Sequence, residues 1–299
     1  MRVRYSMSFL RLWLITAITT LSCATGAQDF RPNLGPNQDS ISVNCGEIAL
    51  LLRRSSQWTP GRIDFRGTAM TTEKSAYGTV FSFPETGFIG TAHLENEPED
   101  LRKLTFILDG RELGGNPGKS LEGKQFRFVR ESRIRNFALT CEIEIKDNRL
   151  YETTTVATDR AQPLKLVYHF MHAWTPTASM LIAGLDEGPE DILVQPLKDE
   201  AEVNRKMYLT RRFDWIAIYE PASKQFAVSR LLEAPDSAGN LSMVWNVPGT
   251  YRKFYLKCFE SKTVPAGFKG TWRMVTAFGV GEPEVWQAKA RKLALDLRD

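Results

Sequence analysis

Hydrophobic and polar residues alternate with a period of two along most of this chain, and the pattern is clearest in the middle. Phe137, Leu139, Cys141, Ile143 and Ile145 alternate with Ala138, Thr140, Glu142, Glu144 and Lys146, which predicts a strand with one buried and one wet face. Asp147-Asn148 turns the chain, Leu150–Thr158 returns, and Pro163 opens a third segment, so residues 137–174 read as a three-stranded antiparallel meander. Short apolar segments bounded by Gly, Pro or Ser precede it at Ile41–Cys45, Glu47–Leu52, 61–67 and 78–83, and the alternating Leu101–Leu108 stops at Asp109-Gly110, a hairpin signal. Trp215–Tyr219 and Gln225–Leu231 form a further hairpin. Leu241–Val247, Tyr251–Phe259 and Thr271–Phe278 complete the strands, with Phe254, Leu256 and Cys258 alternating against Lys253, Tyr255 and Lys257. After Pro283 the spacing changes: Trp286, Ala290, Leu293 and Leu297 recur at helical intervals. Many strands and one terminal helix, without βαβ alternation, predict an all-β fold, a large antiparallel two-sheet sandwich with a C-terminal helix.

The stretch Pro163–Thr177 holds two of the chain's three histidines. Strand alternation puts Leu164, Leu166, Tyr168, Phe170, His172 and Trp174 on one face and Lys165, Val167, His169, Met171 and Ala173 on the other. The two histidines then point apart unless a bulge intervenes. His172 with Trp174, at the strand's end, is the better placed for a sugar pocket. A core strand with hydrogen-bonded histidines is the plain alternative. The third histidine, His93, stands two residues before Glu95, so a strand would show both on one face.

Composition adds a compartment. The first residues carry Arg2, Arg4 and Arg11, then an apolar run from Leu12 to Leu21 too short to span a bilayer, then small residues near Ala24–Ala27. Residues 1–27 read as a secretory signal peptide, 28–40 as a flexible lead-in, and 41–299 as the domain, which places the mature protein outside the cell or in the periplasm. Leu21-Ser22-Cys23 is similar to a lipoprotein box, so membrane attachment enters only through Cys23. Loss of residues 1–27 removes three of the 39 basic residues and no acid, leaving 36 basic against 35 acidic. A near-neutral chain without a basic, aromatic-interleaved stripe is not a nucleic-acid binder. Cys45, Cys141 and Cys258 remain, an odd number without metal-ligand spacing; one disulfide is open to them, and Cys141 and Cys258 fall on the apolar phase of their strands, as buried fillers do.

The order of features resembles the galactose mutarotase-like superfamily, whose members share a large two-sheet sandwich that binds carbohydrate. The residues that carry the likeness are Gly61-Arg-Ile-Asp-Phe-Arg-Gly67, the Leu104–Gly110 strand, the Phe137–Ile145 strand and Val167-Tyr-His-Phe-Met-His-Ala-Trp174. The last is similar to the strand on which aldose epimerases carry a catalytic histidine, in a Thr-Asn-His-x-Tyr-Phe-Asn-Leu context. Here Tyr168 stands where asparagine is usual, Met171-His172 replaces the aromatic-Asn pair, and the Gln-x-x-Pro-Asp-Ala motif is absent.

The resemblance implies a carbohydrate ligand. Mutarotation needs an acid for the ring oxygen and a base for the anomeric hydroxyl. His172 and His169 are candidates for the acid and Glu95, Glu220 and Glu260 for the base, with His93 a further catalytic-site candidate. A lyase would take His172 or Tyr168 as base and Arg212 to neutralise a uronate carboxylate. Trp174, Tyr168, Arg212 and Trp215 are the candidate substrate contacts. No His-x-His or His-x-x-x-His pair occurs, so neither a metal nor a cofactor is expected. A Gly-x-Ser-x-Gly elbow is also missing. Three readings stay open: a sugar-active enzyme of the aldose epimerase or polysaccharide lyase kind, a non-catalytic carbohydrate-binding protein, and a structural envelope protein on the same fold.

Overall fold

A computed structural model describes residues 35–36, 38–73, 78–91, 93, 96–186, 193–198 and 207–298. The signal segment, Cys23, Glu95 and most of the lead-in lie outside the described residues.

Three main sheets build the sandwich. The ten-stranded one is antiparallel throughout and runs Leu193–Pro196, Met180–Gly184, Trp215–Glu220, Gln225–Glu233, Lys269–Val280, Arg149–Thr158, Phe137–Lys146, Phe126–Ile134, Asp100–Leu108, Arg111–Leu113. The six-stranded sheet runs Met207–Arg211, Leu241–Val247, Tyr251–Cys258, Leu166–Trp174, Val80–Phe83, Gly87–Gly90. In the five-stranded sheet, Ser40–Cys45 pairs antiparallel with Ile48–Arg53 and parallel with Ser120–Gly123. The expected hairpins are present. Asp109 and Gly110 are both left-handed, with φ 49° and 78°, as a two-residue turn between right-twisted strands requires.

The predicted meander is half correct. Phe137–Lys146 pairs with Arg149–Thr158, but the next strand, Leu166–Trp174, crosses to the opposite sheet, where it pairs with Tyr251–Cys258 and Val80–Phe83. The free edge of Arg149–Thr158 goes instead to the twelve-residue strand Lys269–Val280.

Two apolar cores follow. One joins the inner faces of the six- and ten-stranded sheets through Phe81, Phe83, Phe137, Leu139, Phe254, Leu256 and Trp272. The other joins the five-stranded sheet to the far half of the ten-stranded sheet through Ile41, Leu50, Phe106, Phe126 and Phe128. The helix Trp286–Asp296 covers the outer face of the ten-stranded sheet with Trp286, Ala290 and Ala294, and Trp286 stacks on Tyr219 at 4.7 Å. Neither it nor any other helix among the described residues is long and apolar enough to cross a membrane. Cys45, Cys141 and Cys258 are all free thiols. Cys258 is a core filler at 0 % exposure, whereas Cys141 is half-buried and lines an interior cleft.

Candidate functional site

A bulge in the strand Leu166–Trp174 decides where the histidines go. Between His169 and His172 this strand spends three residues where its neighbour spends two, His169 standing opposite Leu256 and His172 opposite Phe254. Phe170 takes up the extra length in the left-handed region, at φ 55°, a conformation that costs a bulky residue about 1–3 kcal/mol. The phase of the strand flips across it. Val167, His169, His172 and Trp174 face the sandwich interior, while Tyr168, Met171 and Ala173 face outward. Both histidines of this strand therefore share a face, and strict alternation does not hold.

Inside, they meet the polar residues of the ten-stranded sheet. His172 Nε2 lies 2.7 Å from Glu152 Oε2, and the Trp174 ring meets His172 edge-on at 5.2 Å. His169 Nδ1 is 3.0 Å from Thr79 Oγ1, and its ring packs on Trp272 at 4.4 Å. Burial pushes the His169 pKa down to about 3, because no water solvates an imidazolium there. Nearby, Arg130 Nη2 and Glu99 Oε2 form an ion pair at 2.6 Å with side chains 2 % and 0 % exposed. Several buried polar atoms here have no hydrogen-bond partner among the described residues: His172 Nδ1, His169 Nε2, Arg130 Nε, Glu99 Oε1 and Trp174 Nε1. The cleft bounded by Arg130, Cys141, Glu152 and His172 has about 40 Å³ of free space. A single water needs roughly 10–15 Å³ on that measure, so a few waters fit and a sugar ring does not. Trp174 is 1 % exposed and offers no open ring face. His172 and Glu152 also hydrogen-bond to each other, which makes them one relay rather than an acid and a base on two sides of a substrate.

The outward residues of the same strand form a different cluster. Tyr168 OH is 2.8 Å from His93 Nε2. His93 stacks on Phe88 at 5.4 Å, and Tyr168 packs on Tyr255 at 5.0 Å. Lys253 Nζ stands 5.1 Å from the Tyr168 ring, 5.4 Å from Trp245 and 5.3 Å from Tyr255, within cation–π range of all three. Beside them Lys257 Nζ holds Glu260 Oε2 at 2.7 Å. Burial lowers the Lys253 pKa to about 8 and, together with Glu260, raises that of Tyr255 to about 12. Phe88 keeps 37 % of its surface exposed and Glu260 is open to solvent. This is an aromatic, cationic cluster on a sheet face, in which Tyr168, Tyr255 and Lys253 are buried, Trp245 is half-buried, and Phe88 and Glu260 are exposed.

The nine nominated residues thus divide. His169, His172 and Trp174 lie inside; His93, Tyr168 and Glu260 lie on the outer face. Arg212 is exposed in a separate polar groove of about 840 Å³ beside Asp214 and Asn240, and that groove shares no residue with the interior cleft. Trp215 is buried in the cluster formed with the C-terminal helix. Glu95 lies outside the described residues. Glu220, the further base candidate, is buried and braces a turn by accepting from Thr175 Oγ1 at 2.9 Å and from the Ala222 amide at 3.2 Å. Sequence reasoning did not nominate Lys253, Tyr255 or Trp245. The Lys-x-Tyr-x-Lys alternation of 253–257 was the available signal, and it reads equally as a solvated face. No group of three or more His, Cys, Asp or Glu among the described residues is arranged to hold a metal.

The sheet order defines a large, mainly antiparallel β-sandwich. No protein-family model matches the sequence, and neither does any curated protein. Among solved structures, the Slr1438 protein from Synechocystis sp. PCC 6803 is similar with a TM-score of 0.52 at 8% identity, over 83% of this chain and 98% of that one. A galactose mutarotase-like protein from Lactobacillus casei is similar at 0.49 and 8% identity, over 80% and 100%. An aldose epimerase homologue from C. elegans is similar at 0.46 and 10%, over 81% and 98%. The likeness is one of fold, and a fold does not fix a reaction.

Proposed function

We propose that this protein recognises carbohydrate on the outer face of its six-stranded sheet, as a secreted or periplasmic protein directed there by residues 1–27. The observation that carries the reading is the convergence of Tyr168, Tyr255 and Trp245 around Lys253, with His93 hydrogen-bonded to Tyr168. The half-buried Trp245 and the exposed Phe88 offer ring faces to the apolar side of a sugar ring, and His93 and Glu260 offer donors and acceptors to its hydroxyls.

Binding is favoured over catalysis because the titratable groups are already engaged: His93 by Tyr168, Glu260 by Lys257. A second reading, an isomerase that moves protons between ring oxygen and anomeric hydroxyl, draws support from the 2.8 Å His93–Tyr168 contact on the face that also bears Glu260. Calorimetry against neutral sugars and uronates, with Trp245→Ala and His93→Ala, tests the first. Anomer exchange followed by NMR separates the second. Saturable binding weakened in both variants supports the site, and unchanged binding in both removes it. Sequencing the N-terminus of exported protein tests the leader.

A further inference from the structure

We infer that the groove beside Asp214 and Asn240 binds a short peptide with free termini, its carboxylate received by Arg212 and its ammonium by Asp236. The groove shares no residue with the outer-face cluster, so the inference is independent of the carbohydrate reading.

The groove opens between two sheets. Leu231 and Leu232 come from Gln225–Glu233 in the ten-stranded sheet, and Leu241 and Leu256 from neighbouring strands of the six-stranded one. Phe213 and Leu256, 2 % and 3 % exposed, belong to the core beneath it. Its free space of about 840 Å³ is within the roughly 300–1,000 Å³ of sites that enclose small ligands.

Most polar side chains around it are already engaged. Arg230, 4 % exposed, donates to Asp186 and, at 3.1 Å, to the carbonyl of Ala294. Arg298 adds a second contact to Asp186 at 3.2 Å. Glu233 faces Arg273 at 3.9 Å, and Asp214 accepts from the amide of Asp186 at 2.8 Å. Asn240 accepts from Trp272 Nε1 and donates to the carbonyl of Pro235, both at 2.9 Å. Arg212 and Asp236 differ. Both are exposed on the groove, and neither side chain has a hydrogen bond or ion pair among the described residues. One positive and one negative charge are therefore available beside apolar surface, on a wall that ion pairs hold in place.

A peptide with free termini uses these features together. The guanidinium of Arg212 can donate two parallel bonds to its terminal carboxylate, and its ammonium can donate to Asp236. Its apolar side chains cover Leu231, Leu232 and Leu241, which are half-buried. A simple ion would use one charge and leave the apolar surface in water.

The test is calorimetric titration of the full chain at pH 7 and low salt with alanine–leucine peptides of two to four residues, each also prepared N-acetylated and C-amidated. We expect a free peptide of the series to bind, either block to weaken it at least tenfold, and added salt to weaken it further. Arg212→Gln should lower the affinity of the free peptide to that of its amide and leave the effect of acetylation in place. Asp236→Asn should do the reverse. Both side chains are exposed, so the variants keep the fold. Trp245→Ala should bind peptide as wild type does. The inference is overturned if no peptide of the series binds, or if free and blocked peptides bind alike. It is equally overturned if sensitivity to the blocks survives Arg212→Gln and Asp236→Asn, or if Trp245→Ala abolishes peptide binding. Failure of every sugar to bind removes the carbohydrate reading and leaves this one standing.

Discussion

Removing one partner of the Arg130–Glu99 pair should destabilise the protein far more than removing both. The two side chains are 2 % and 0 % exposed and 2.6 Å apart. At that separation an effective dielectric of about 20 gives a gross attraction of about 6 kcal/mol, which desolvation of the two ions largely offsets. Arg130→Met leaves Glu99 charged and buried, with Thr91 Oγ1 donating to it at 3.3 Å, and should cost about 3–5 kcal/mol. Glu99→Leu leaves the guanidinium stranded and should cost a similar amount. The double variant replaces both by apolar groups of similar bulk and should lie within about 1–2 kcal/mol of wild type. Urea unfolding monitored by tryptophan fluorescence gives all three values, and the double-mutant cycle gives the coupling directly. Single variants that each cost less than 1 kcal/mol, or costs that simply add, would refute the view that this pair is a buried structural charge network.

Other expectations follow from the same physics. His169 titrates near 3 in the folded protein against 6.5 unfolded, so the unfolded state binds the extra proton and stability falls as the pH drops from about 6.5 toward 3, by up to about 5 kcal/mol; His169→Gln should flatten that limb of a denaturation-midpoint-versus-pH curve. For Lys253 the folded pKa is about 8 against 10.5, which makes stability rise between those values, and Lys253→Met should raise the urea midpoint at pH 7 yet change it little above pH 10.5. At Gly90, φ is +147° and an added Cβ would sit 2.5 Å from Thr79 O and 2.8 Å from Val80 Cα. Gly90→Ala should therefore cost about 2–4 kcal/mol and displace His93, whose amide bonds to Gly90 O; thermal unfolding and the His93 imidazole NMR signals report the two effects.

Much of the architecture is readable from local chemistry. The period-two run of 137–146, the Asp-Gly turn and the helical spacing of Trp286, Ala290 and Leu297 are each a local pattern, and each forms the expected element. The exchange of Leu166–Trp174 into the other sheet is not local, because it depends on which distant strand wins the free edge of Arg149–Thr158. The bulge is equally silent: Tyr-His-Phe-Met-His contains no glycine or asparagine to announce a left-handed residue, and tertiary packing alone holds Phe170 there. That one residue separates Tyr168 from the histidines, sending the hydroxyl outward and both imidazoles inward. The outer cluster joins His93, Tyr168, Trp245 and Lys253, residues up to 160 positions apart in the chain, and no spacing rule connects them.

Sugar recognition belongs to one face or the other of the strand Leu166–Trp174. Sugar titrations of Trp245→Ala and His172→Gln, run beside wild type on folded protein, decide it. The outer-face assignment predicts that Trp245→Ala loses at least tenfold in affinity, consistent with removing about 1.4 kcal/mol or more of ring contact, while His172→Gln binds as wild type does. Loss of binding in His172→Gln with full affinity in Trp245→Ala would contradict it and move recognition to the interior cleft.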